Sequence, residues 1–124
     1  DRSTTDLMIP VNYGLGHALS ELAEANNLQN LMRVLEKTPY AGALETLSGV
    51  ADDESLARVE LALKRSHALS CRNMFAGSPF NVGLALAFLF LKNYELHDLF
   101  AIINAKANKV PTDRVMKSLI LQGA

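Results

Sequence analysis

Apolar residues return every three or four positions along almost the whole chain, and nowhere do they alternate over the length that a half-buried strand needs. That pattern predicts helices and argues against a β architecture. Leu15, Ala18, Leu19, Leu22 and Ala23 form one stripe. The Asn26-Asn27 pair ends it, because Asn side chains compete for backbone hydrogen bonds. Leu28, Leu31, Met32 and Leu35 form a second stripe, so the two predict a helical hairpin. Thr38-Pro39-Tyr40 stops the second helix: Pro39 disfavours helical backbone at Thr38 and suits the first turn of the helix that follows. A short helix through Ala43, Leu44 and Leu47 comes next, closed by Ser48-Gly49. Asp52, Asp53 and Glu54 then supply a cap and an acidic first turn for a long helix through Leu56, Val59 and Leu63 to about Phe75.

Gly77-Ser78-Pro79 is the clearest break in the chain. The segment 80–91 beyond it is apolar on nearly every side, which is how a helix reads when neighbours cover it all round; it is expected to be the central core helix. Its apolar run, VGLALAFLFL at 82–91, is too short to cross a bilayer as a helix. Lys92, Asn93 and Glu95 interrupt the run, and Leu96, Leu99, Phe100, Ile103, Ala107 and Val110 mark a further amphipathic helix. Val110-Pro111-Thr112-Asp113 ends that helix and starts the last, with Val115, Met116, Leu119 and Ile120 as its buried face. The expectation is an all-α fold, a compact bundle of about seven short to medium helices, in a single domain over residues 1–124.

Composition agrees with helices and narrows the function. Apolar residues are 49% of the chain but aromatics only 6%, with no Trp, so the interior rests on Leu, Ala, Ile, Val and Met. The formal net charge of −1 supplies no field to draw in nucleic acid or an anionic membrane. Up to Ala76 there are seven Lys/Arg against ten Asp/Glu and from Gly77 onward five against three, so the balance moves from −3 to +2. Cys71 is the sole cysteine, which forbids an internal disulfide and fits an intracellular site. The opening DRSTTDLMIP lacks the basic stretch and apolar core of a signal peptide.

The chemistry-bearing residues do not assemble into a site. His17, His67 and His97 are far apart, with no second ligand at a metal-binding spacing. His97-Asp98 are neighbours, but successive helical side chains diverge, so they make no ready dyad. Cys71, between Ser70 and Arg72 late in a helix, reads as a small buried or half-buried thiol, although Arg72 could lower its pKa. Gly14-Leu15-Gly16 begins like a phosphate loop, but Leu19 stands where a third glycine is needed and no strand precedes it. Asp52, Asp53 and Glu54 cap a helix more readily than they hold a cation. Lys106, Lys109, Arg114 and Lys117 cluster loosely without aromatic platforms for bases, which leaves a solvated face or docking on an acidic protein surface. No catalytic residue, metal ligand or cofactor site is expected.

Two stretches carry a family resemblance. MIPVNYGLG, a helical hairpin and LEKTPYAGALETL follow one another in the N-terminal part, and FLFLKNYELHDLFAIINAKANKVPTDRVMKSLI forms the C-terminal part. In that order, from about Ile9 onward, they resemble the C subunit of archaeal and bacterial A/V-type rotary ATPases, whose eukaryotic relative is the d subunit. The Lys-x-x-Glu turn at Lys92 to Glu95 and the Lys-Ala-x-x-x-x-Pro tail at Lys106 to Pro111 look like the family's ending. The chain departs from the pattern at Asp98, where Asn commonly precedes the Leu, and in lacking an Arg near Phe100 or Ala101.

The resemblance implies one part of a longer subunit built of similar helical domains. It implies a non-catalytic role in the central stalk of an ATP-driven or ATP-synthesising complex, coupling the membrane rotor ring to the central shaft during ion or proton transport. The implied partners are rotor-ring and central-shaft subunits, with no nucleic acid and no direct nucleotide binding. The place implied is cytoplasmic, peripheral to the membrane through protein contacts. Lys92, Glu95, Lys106 and Arg114 are the candidate docking positions, with plain solubility as their alternative role. Two rivals stay open: a helical adaptor or regulatory domain unrelated to rotary ATPases, which would expose a hydrophobic cleft for a peptide helix, and a small enzyme using Cys71 or a histidine, which would need those groups clustered in space.

Overall fold

The computed structural model describes residue 15 and residues 18–47, 52–77 and 80–123, apart from the side chains of 46 and 52–55. Gly14, Gly16, His17, Ser48-Gly49 and Ser78-Pro79 lie outside the described residues, as do the side chains of the Asp52-Asp53-Glu54 cap. The described residues form six α-helices and two short 3₁₀ turns and contain no strand: α1 Ala18–Glu24, α2 Leu28–Leu35, α3 Ala41–Leu44, α4 Asp52–Met74, α5 Val82–Ala107 and α6 Thr112–Ser118. The chain divides into two units, Asp1–Glu60 and Leu61–Ala124, and the division falls inside α4.

In the first unit α1 and α2 pack as the expected hairpin. Asn27 starts α2 with an extended backbone, and its side-chain oxygen accepts from the Asn30 N–H at 2.8 Å, which satisfies one of the donors a helix start leaves open. Lys37 and Glu21 form an exposed ion pair at 3.6 Å, a geometry that contributes little in water. The Thr38-Pro39-Tyr40 stop acts through Thr38. Its buried hydroxyl donates to the Leu35 carbonyl at 2.6 Å and accepts from the Tyr40 N–H at 3.3 Å, tying the end of α2 to the approach to α3. Among the described residues of this unit, Val34, Leu35, Leu44 and Val59 are the buried apolar side chains.

The second unit contains the C-terminal part of α4, then α5 and α6. Asn81 caps α5 as Asn27 caps α2, its side-chain oxygen accepting from the Gly83 N–H at 2.9 Å. From there α5 runs unbroken for 26 residues, about 39 Å at 1.5 Å per residue, so the two helices expected at 80–91 and 96–110 are one. The reason is local: Lys92-Asn93-Tyr94-Glu95 contains neither Gly nor Pro, and Lys92 and Glu95, one turn apart, join their side chains at 2.5 Å. Charge in an apolar run does not end a helix; an absent N–H or a left-handed residue does. That signal comes at Lys109, which takes a positive φ of 54°, followed by Pro111 just ahead of α6.

The all-round burial expected for 80–91 is overturned. Ala87 is buried, yet Val82 is 81% exposed and Leu86, Phe88, Leu89 and Phe90 are exposed as well. One side of α5 faces the core, and a sequence apolar on every side carries no sign of which side that is. The face expected for the last helix is also only partly right. Leu119 and Ile120 are buried, but beyond the end of α6, whereas Met116 within it is exposed.

Candidate functional site

The buried polar chemistry of the second unit converges on the backbone of residues 117–121. Asp98 on α5 is buried, and its two carboxylate oxygens accept the Ile120 and Leu121 N–H groups, each at 2.9 Å. From α4, the Arg65 guanidinium donates through Nη2 to the Lys117 carbonyl at 2.8 Å and to the Leu119 carbonyl at 2.8 Å, and through Nε to Leu119 at 3.1 Å. Arg72, two turns further along α4, donates to the Leu121 carbonyl at 3.2 Å. A carboxylate thus gathers N–H donors while two guanidiniums gather carbonyl acceptors, the charge-assisted pairing that binds most strongly. Gly123 belongs to the same arrangement, because a Cβ there would come within 2.5 Å of the Arg65 side chain.

This clamp gives Asp98 a role that its neighbour does not share. His97 is exposed, and its Nδ1 is 3.9 Å from Asp98 Oδ1, while both Asp98 oxygens are engaged by backbone. The 3.9 Å approach is longer than a hydrogen bond.

A second cluster joins α4 to α5. His67 Nδ1 and the Tyr94 hydroxyl share a hydrogen bond at 2.9 Å, and His67 Nε2 is 3.8 Å from the Cys71 sulfur. The Phe90 and Tyr94 rings stand nearly perpendicular to the His67 ring at centroid distances of 4.9 and 5.9 Å. The spacing His-x-x-x-Cys places His67 and Cys71 on one face of α4, a proximity missed when the residues were taken singly. Cys71 is buried as expected, and burial pushes its thiol pKa up; the arrangement therefore keeps the neutral thiol rather than the thiolate a nucleophile requires. Tyr94 is likewise pushed up, first by burial and then by the charge of Cys71, with Lys64 opposing. Among the described residues no group of three or more His, Cys, Asp or Glu could hold a metal ion.

The four candidate docking residues are all exposed. Lys92, Glu95 and Lys106 lie along α5, where Lys92 and Glu95 pair with each other, and Arg114 lies on α6. A shallow, open depression of about 500 Å³ lies on the second unit, lined by Phe75, Asn81, Leu84, Ala85, Phe88 and Leu89. Its polar member, Asn81, is already occupied in capping α5, so the depression offers apolar contact rather than chemistry. No helix among the described residues is long and apolar enough to cross a membrane.

Comparison with known families gives the arrangement its context: the family model of the ATP synthase (C/AC39) subunit matches residues 1–118. The chain belongs to the C/AC39 subunit family. It is therefore a V/A-type ATPase subunit or a piece of one, and the resemblance carried by the TPYAGALETL and KNYELHDLF segments is confirmed at the level of the family. No curated protein and no solved structure matches it.

Proposed function

We propose that this C/AC39 chain is a non-catalytic component of the central stalk, coupling the membrane rotor ring to the central shaft while ions cross the membrane elsewhere in the complex. The observation that carries the proposal is the family match over residues 1–118. The physical features support it. A coupling element must transmit torque without yielding, and close-packed helices have low compressibility. In the second unit, backbone clamping by Asp98, Arg65 and Arg72 ties the last residues to α4 and α5. The neutral, buried Cys71 thiol favours a role without covalent chemistry.

In this reading the chain acts as a single domain, is held at the cytoplasmic side of the membrane through protein contacts, and uses the charges of Lys92, Glu95, Lys106 and Arg114 to dock on rotor-ring and shaft subunits. The adaptor reading draws its support from the apolar depression beside Phe88 and Leu89. Capture of the chain's partners from a membrane extract of its source, identified by mass spectrometry, separates the two. Rotor-ring and central-shaft subunits are expected, and they should be lost at high salt if the charged positions hold them. Their absence, with an unrelated helical protein enriched instead, would defeat the stalk reading.

A further inference from the structure

Charge divides along the same line as the two units. The first, Asp1–Glu60, has four Lys/Arg against ten Asp/Glu, and the second, Leu61–Ala124, eight against three, so they carry −6 and +5. Much of the second unit's charge is engaged: Arg65 and Arg72 hold backbone carbonyls, Asp98 holds backbone N–H groups, and Lys92 pairs with Glu95. Lys106, Lys109, Arg114 and Lys117 differ. All four are exposed, and none of their side chains has an ion-pair or hydrogen-bond partner among the described residues. Lys106 lies in the last turn of α5, Lys109 takes the positive φ that turns the chain, and Arg114 and Lys117, three residues apart, share a face of α6. Helices α5 and α6 pack together, so the four cations gather at one end of the second unit. Asp113 is the one carboxylate along 106–117.

Helix stability accounts for Lys106 and Lys117, since a cation in a last turn meets the negative end of the helix dipole. It does not account for Arg114, which stands in the first turn of α6, where the dipole disfavours a cation. Solubility is better served by interspersed signs than by four like charges. We propose that this end of the second unit docks on an acidic protein surface, a face of a stalk subunit that presents several Asp or Glu side chains. The proposal rests on the stalk reading and names the chemistry of the partner at Lys106 and Arg114. Arg114 can hold a carboxylate with two parallel N–H donors, and the three lysines add point charges around it. Other anionic partners fit less well. A bilayer surface holds a peripheral chain through basic and apolar side chains together, yet Met116 is the one large apolar side chain exposed along 106–117. Single-stranded nucleic acid stacks its bases on aromatic rings, and 106–117 has none. The −6 of the first unit adds direction, because an acidic partner repels that unit and is steered to the second.

Carbodiimide cross-linking, which joins Lys amines to Asp or Glu carboxylates in contact, tests this in the chain's own membrane complex. Mass spectrometry should find Lys106, Lys109 or Lys117 joined to carboxylates of a stalk subunit. A chain carrying both Arg114→Glu and Lys117→Glu should capture stalk subunits roughly tenfold less well than the unsubstituted chain, while far-UV circular dichroism keeps its helix content. If both chains capture stalk subunits equally, or if those lysines cross-link only within the chain, the docking face is overturned while the stalk reading stands. If the unsubstituted chain captures no stalk subunit, the stalk reading falls and this partner with it. Binding to vesicles of equal parts phosphatidylcholine and phosphatidylserine, abolished by the double substitution and without carboxylate cross-links in the complex, gives the surface to lipid phosphates and overturns the proposal.

Discussion

Asp98 shows how much one atom can matter at the residue scale. Each of its oxygens accepts a different backbone N–H, at Ile120 and Leu121. Asn, the residue the family commonly has before that Leu, offers one acceptor oxygen and would turn an NH₂ toward the other N–H. Asp98→Asn should therefore cost about 1–3 kcal/mol, since a buried donor loses its partner. The melting temperature should fall by several degrees with helix content retained; an unchanged melting temperature would show that the clamp is dispensable. Cys71 makes a prediction in pH. Its folded pKa is raised by burial, so the unfolded chain releases the thiol proton first. The stability this contributes is present below the ordinary thiol pKa, roughly 8.5, and declines as pH rises above it toward the folded value. Urea unfolding at pH 7.5 and 9.5 should show a larger loss for the native chain than for Cys71→Ala; equal losses would refute the assignment.

At the scale of elements, the N-terminal helices were legible because each boundary has a local cause. Asn27 accepts from the Asn30 N–H, and Thr38 closes α2 beside Pro39, so stop and start signals lie in adjacent residues. At α5 the sequence pattern misleads twice, for two different reasons. Polarity at Lys92-Asn93-Glu95 suggests a boundary, although a helix ends where its hydrogen bonding fails, and that occurs at Lys109 and Pro111. Apolarity on all sides of 80–91 suggests burial, although composition does not say whether the cover comes from the same chain. The clamp was invisible for a third reason: Arg65 and Asp98 recognise main-chain atoms at 117–121, which every sequence possesses. What sequence did reveal at this scale was the family, because the order of turn and helix segments survives where individual contacts do not.

At the scale of the molecule, the division between Glu60 and Leu61 falls within a continuous helix. Each unit spans about sixty residues, and a domain of that size buries only about 60% of its unfolded surface, which leaves it marginal alone. The first unit's core rests on Val34, Leu35, Leu44 and Val59, and the second's on small groups such as Ala68, Cys71 and Ala87 together with Leu119 and Ile120. Helix α4 contributes to both cores, through Val59 in the first and through Ala68 and Cys71 in the second. Unfolding either unit exposes one part of α4 and weakens the helical hydrogen bonding of the rest, so the chain should melt in one transition with equal calorimetric and van't Hoff enthalpies. Proline tests the link directly. Ala62→Pro removes an interior hydrogen bond of α4 and clashes with the preceding turn, at a cost of about 3 kcal/mol. The expected result is a melting temperature lower by roughly 10 °C and a van't Hoff enthalpy well below the calorimetric one, as each unit begins to unfold separately. Two resolved transitions in the unsubstituted chain would show instead that α4 joins the units without coupling them, and a chain of that kind would make a poor transmitter of torque.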